Sequence, residues 1–204
     1  SLIIELNFDR SNIFVPLNVL HHMESSDLIY TIYELSDVKI HLYYIDDLPD
    51  LNLISQIIYF LRELSQNKTF IKLVIFYGKN HKVLTQYNDN ILCPDNINSG
   101  STIRGQIIEI WRKEEFYKIL IHELIHYLNI DHYSNPKLET IFHSIFKIHG
   151  FDSVNESYTE ILALTINSIF YSRINNVDFN ELINRELLFS YLQISKIMKF
   201  YKTS

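Results

Sequence analysis

His122-Glu123-Leu124-Ile125-His126 spells H-E-x-x-H inside the run 114–129, and the reading of this stretch decides the fold. Phe116, Ile119, Leu120, Leu124, Tyr127 and Leu128 recur there at helical spacing, and Glu114 and Glu115 stand where the dipole of a helix start favours acids. The run is therefore expected to be an amphipathic helix. Residues four apart on a helix lie one above the other, so both imidazoles can reach one tetrahedral metal ion while Glu123 borders the same cleft. The glutamate is then placed to take a proton from water at the metal. A buried helix that merely contains two histidines is the plainer reading. It would leave two imidazoles and a carboxylate in a core, each needing a hydrogen-bond partner or suffering a desolvation penalty.

A zinc site needs a third protein ligand, and two candidates follow. The first is Glu156 in Asn155-Glu156-Ser157-Tyr158-Thr159-Glu160. This element resembles the N-E-x-x-S-D element of thermolysin-like peptidases, the gluzincins, with Thr for Ser and Glu for Asp. The resemblance implies that Glu156 ligates Zn²⁺ with His122 and His126. It also implies that Glu160 accepts a hydrogen bond from the far nitrogen of His122, and that Asn155 does the same service for His126, fixing tautomer and orientation. The second candidate is His132, because His122-Glu123-x-x-His126-x-x-Asn129-x-x-His132 resembles the metzincin pattern with Asn in place of Gly. Asn tolerates the left-handed turn that this glycine supplies. Metzincins also place a methionine turn beneath the metal, whereas Met198, the only downstream methionine, lies in a helical-looking stretch near the chain end. That reading leaves 155–160 unexplained, and Glu156 is the preferred assignment.

Glu156 follows His126 by 30 positions, a longer interval than in the best-known gluzincins. The interval holds a helix of its own: Pro136 as a start, Leu138, Ile141, Phe142, Ile145 and Phe146 on one face, and Gly150 as a stop. The stretch Asn98-Ser99-Gly100-Ser101-Thr102, followed by Trp111-Arg112-Lys113-Glu114-Glu115, the H-E-x-x-H helix and E-S-Y-T-E, is similar to zinc peptidases encoded by large DNA viruses.

The order of elements suits such a site. Residues 2–8, 28–33, 38–45 and 70–77 are rich in β-branched and aromatic side chains and read as strands, and 51–64 reads as an amphipathic helix between the last two. A polar, turn-rich segment, 87–105, precedes a strand at 106–111 that feeds the metal helix. Everything beyond Pro136 reads as helix. The expected class is α+β, and the resemblance makes it zincin-like within one catalytic domain. An N-terminal mixed-sheet lobe with a covering helix (1–111) leads to the zinc helix (112–131) and a C-terminal helical lobe (136–204). In zincins an edge strand near the metal pairs with extended substrate, so Asn98, Ser99 and Gly100, with the rest of 98–102 and the strand at 106–111, are nominated as the substrate wall. Arg104 is a candidate for a peptide carboxylate. His149 and Tyr158 are candidates for a donor to the reaction's oxyanion. The remaining histidines lack ligand spacing.

Composition narrows the partners. The 204-residue chain carries a net charge of −6 with dispersed Lys and Arg, which argues against nucleic-acid binding. No apolar run approaches a membrane span, no secretory leader is visible, and the single cysteine, Cys93, fits a reducing, intracellular setting. The chain starts at Ser1, so a removed leader or upstream domain is compatible with it. Four glycines, four prolines and no repeat favour one compact unit. The expected activity is zinc-dependent hydrolysis of a peptide or protein substrate with Glu123 as general base. The alternative is an interaction domain that keeps a relic zinc site. Oligomeric state is left open.

Overall fold

The computed structural model describes residues 15–24, 27–79, 81–82, 94–131, 136–146 and 154–202. The expected strand at 2–8, Cys93, His132 and His149 lie outside them. Helix α1 (Leu17–Met23) is followed by β1 (Ile29–Glu34), β2 (Val38–Tyr44), α2 (Leu51–Ser65) and β3 (Ile71–Tyr77). The short α3 (Pro94–Ile97) leads into the hairpin β4 (Gly100–Ile103) and β5 (Ile107–Ile110), and then come α4 (Phe116–Tyr127), α5 (Pro136–Phe146), α6 (Asn155–Asn175) and α7 (Phe179–Lys202). The class is α+β. Among the described residues no helix is long and apolar enough to cross a membrane.

The strands form one mixed sheet in the order β1-β2-β3-β5-β4. β2, β3 and β5 run parallel, while β1 and β4 are antiparallel to their neighbours. Strand side chains alternate between faces, and the sequence uses both faces. Val38, Ile40, Leu42, Leu73, Ile75, Ile108 and Ile110 pack with α2 and α4. Tyr43, Val74, Phe76 and Trp111 pack on the opposite side with Val15, Val19 and Met23 at α1. α2 forms where expected because Ile54, Ile57, Ile58 and Leu61 make one buried stripe, and Asp50 caps it by accepting from the backbone N–H groups of Asn52 and Leu53 at 2.9 and 3.1 Å.

Two expectations change. The turn-rich segment 87–105 contains a strand, β4, so the strand at 106–111 is internal and β4 closes the described sheet on that side. Four residues with only one β-branched apolar side chain gave too little pattern to read. The metal helix begins after the acids: Glu115 is the left-handed residue before α4 (φ 57°), and Glu114 instead accepts from His81 and from the backbone of Lys82. The helix expected from Pro136 forms as α5, and its apolar face is open at Leu138, Ile141 and Ile145, each half exposed or more. Among the described residues the helical half has no separate core. Ala163 and Ile166 of α6 join the cluster made by the sheet, α2 and α4.

Candidate metal centre

α4 lies across the sheet beside β4 and β5, with Leu120, Ile121, Leu124 and Ile125 fully buried beneath it. That anchoring turns the opposite face, at 118, 122 and 126, toward a cleft. α6 packs against α4, and Thr159 and Ala163, both fully buried, are small enough for close approach. Glu156 and Glu160 share that face of α6 by helical spacing, so packing alone brings both carboxylates to the two histidines.

The groups converge. His122 Nε2 and His126 Nε2 are 3.1 Å apart, and each is 3.5 Å from Glu156 Oε2. The edges of a tetrahedron whose ligand bonds are about 2.0–2.1 Å measure about 3.3 Å, so the triangle has the size that zinc needs. Among the described residues these three form the group able to hold a metal ion. Both far nitrogens are committed elsewhere. His122 Nδ1 donates to Glu160 Oε2 at 3.1 Å, and His126 Nδ1 donates to Asp131 Oδ2 at 2.8 Å, which leaves each Nε2 lone pair for the metal. Lys118, one turn before His122, donates to the other Glu160 oxygen at 2.6 Å.

Electrostatics follow from this crowding. Burial opposes charge on His122, yet Glu156 and Glu160 outweigh it and hold its imidazolium up to about 9. His126 is raised for the same reasons, by Glu156 and Asp131 against burial. Its hydrogen bonds to the two histidines keep Glu156 well below the usual carboxylate range, and Glu160, bonded to His122 and Lys118 despite its burial, is lowered to about 2. The site without metal is therefore a cluster of carboxylates sharing protons on imidazoles.

Glu123 faces the other wall. Burial pushes its carboxyl up, against the hydrogen bond it accepts from Thr102 Oγ1 at 2.7 Å. Gly100 packs so close that a Cβ there would stand 2.9 Å from Glu123 Oε1 and 2.9 Å from Ile119 Cγ2. The cleft, about 640 Å³, is lined by the three ligand candidates, Glu123, Glu160, Lys118 and residues 97–102. Asn98, Ser99 and Gly100 thus border it as nominated. Two of them also brace the wall from behind: Asn98 O accepts from Trp111 Nε1 at 3.3 Å, and Ser99 O from Trp111 N at 3.1 Å.

Not every expected role falls where it was read. The partner of His126 Nδ1 is Asp131, where Asn155 was expected. Arg104 grips that same Asp131 at 2.9 and 3.0 Å through Nη2, while its side chain stays 48% exposed and lines the cleft. Asn129 does take the left-handed turn (φ 62°) that the metzincin pattern requires, in a helix end where Asn129 N–H donates to His126 O and Ile130 N–H to Ile125 O. This turn folds Asp131 back under His126. The signal was present: Asn after the last helical turn predicts the reversal, and an aspartate two residues on is the side chain it returns. Tyr158 is exposed on α6 and is not among the residues lining the cleft. Comparison of the chain with protein-family models, with curated proteins and with solved structures returns no match.

Proposed function

We propose that the chain is a zinc-dependent metallopeptidase of gluzincin type, with His122, His126 and Glu156 as metal ligands and Glu123 as general base. The observation that carries the reading is the triangle of two Nε2 atoms and Glu156 Oε2 at 3.1 to 3.5 Å, with both Nδ1 atoms held by carboxylates. Two neutral imidazoles and a carboxylate are a donor set of the catalytic zinc class, and three protein ligands leave a position open. Zinc bound there supplies Lewis acidity that lowers the pKa of water toward about 7 and polarises the scissile carbonyl.

The chain's own residues do the remainder. Glu123 takes a proton from the attacking water and returns it to the departing amine, a role helped by burial that raises its basicity. Thr102 holds the Glu123 carboxylate by one oxygen and leaves the other for the water. Glu160 and Asp131 keep the histidines in the ligating tautomer. β4, which ends the described sheet beside the cleft, gives an extended peptide a strand to lie along, and this favours a peptide over a small ester as substrate. A relic zinc site would need its ligands and no base. The buried, hydrogen-bonded Glu123 at the cleft favours the peptidase over the relic.

The test is cleavage of a fluorescence-quenched peptide library by zinc-loaded protein, with a chelator and then added zinc. Hydrolysis that stops on chelation and returns with zinc is expected. A zinc-replete protein that cleaves no peptide would leave the relic reading.

A further inference from the structure

We infer that Arg104 and Asp131 form a positioning pair for the metal ligand His126, tying it to the hairpin that borders the substrate cleft. The inference rests on the zinc reading above and adds two residues to it. Asp131 is nearly inaccessible, at 2% exposure, and is held from both sides. His126 Nδ1 donates to its Oδ2 at 2.8 Å, and Arg104 Nη2 reaches both oxygens at 2.9 and 3.0 Å. A buried carboxylate gripped in this way has one orientation, and so does the imidazole that donates to it.

The sequence logic lies in β4 and the turn that follows it. Positions 100 and 102 lie on one side of β4, Arg104 stands in the turn, and each meets α4 or its end. Gly100 abuts Ile119 and Glu123, Thr102 donates to Glu123, and Arg104 reaches Asp131. The hairpin therefore indexes the base from β4 and, through Arg104 in its turn and Asp131, a metal ligand. The left-handed Gly105 (φ 70°), with nothing near a would-be Cβ, turns the chain directly after Arg104. A pair whose work was only to fasten the hairpin would have no reason to include the far nitrogen of His126.

The experiment measures zinc affinity by chelator competition on the full chain, for wild type, Asp131→Asn, Asp131→Ala, Arg104→Ala and the Arg104→Ala/Asp131→Ala double variant. Thermal unfolding of each metal-free protein is read alongside. Losing a carboxylate that orients a metal-bound histidine weakens affinity by roughly 10- to 100-fold, and Asp131→Ala is expected in that range. Asp131→Asn retains an acceptor and falls between it and wild type. Arg104→Ala, at a half-exposed position that tolerates truncation, weakens zinc by less. The double variant matches Asp131→Ala, because Arg104 acts through Asp131.

Asp131→Ala and Arg104→Ala proteins that melt lower but bind zinc with wild-type affinity would reduce the pair to a fastening and overturn the inference. Additive losses in the double variant would also overturn it. Should Asp131→Ala fail to fold, Arg104→Ala decides by the same criterion. These readouts use no substrate, so a wild type that binds zinc but cleaves nothing leaves them standing. A wild type that binds no zinc removes both this inference and the metal reading beneath it.

Discussion

At the scale of single residues, the account depends on Glu123 having work that differs from its neighbours'. Glu123→Gln preserves the shape of the side chain and leaves His122, His126 and Glu156 in place. The variant is expected to keep one zinc and to lose turnover by roughly a thousandfold or more, since the proton acceptor is gone. Elemental analysis beside peptide hydrolysis checks this, and a metal-replete variant that still turns over would put the chemistry elsewhere. Gly100 offers a subtler probe. A Cβ there would meet Glu123 and Ile119 at 2.9 Å, so Gly100→Ala must displace the base or its neighbour. Zinc content should stay at the wild-type level while kcat falls, and unchanged kcat would mean that this close approach is irrelevant to catalysis. That His122, His126 and Glu123 border one cleft was readable because i, i+4 spacing on a helix fixes direction without any tertiary knowledge. The partner of His126 was not read correctly, because it depends on a left-handed turn at Asn129 that returns a later residue to an earlier one.

At the scale of elements, α4 and α6 carry the site, and the question is which element brings the third ligand. Glu156→Ala should lose zinc while His132→Ala keeps it, and Glu160→Ala should weaken affinity by roughly ten- to a hundredfold. The reverse outcome for the first two would transfer the third ligand to the segment after α4. Helices α2 and α4 were legible because their apolar side chains recur at helical spacing, and strands β2 and β3 because they are runs of β-branched and aromatic side chains. β4 was not, since Gly100-Ser101-Thr102-Ile103 is polar and short and becomes a strand only through its pairing with β5. The stripe of α5 has the helical period and the helix forms, while Leu138, Ile141 and Ile145 stay half exposed or more, because periodicity sets a helix's faces and not what covers them.

At the scale of the whole molecule, metal, protons and stability are linked. His122 has a folded pKa of about 9 against its ordinary 6.5, so its interaction with Glu156 and Glu160 stabilises the metal-free fold fully below about 6.5 and is lost as pH rises through about 9. Glu160, lowered to about 2 from 4.5, contributes above about 4.5 and loses its contribution as pH falls through about 2. Zinc needs the neutral imidazoles, so it must displace those protons, and its affinity rises with pH across the window from about 6.5 to about 9. The gain in Tm on adding zinc should therefore grow between about pH 6 and about pH 8.5, with proton release at neutral pH measurable by calorimetry in buffers of different ionisation enthalpy. A gain independent of pH would contradict the proton-sharing cluster. The central claim is that one zinc sits where α4 meets α6, and anomalous diffraction at the zinc edge from crystals grown with zinc tests it most directly. The account predicts a single strong peak within about 2.0–2.2 Å of His122 Nε2, His126 Nε2 and a Glu156 oxygen, with Glu123 beside it and not bound. A peak ligated by His132 with Glu156 remote, or no peak between these two histidines, would contradict it.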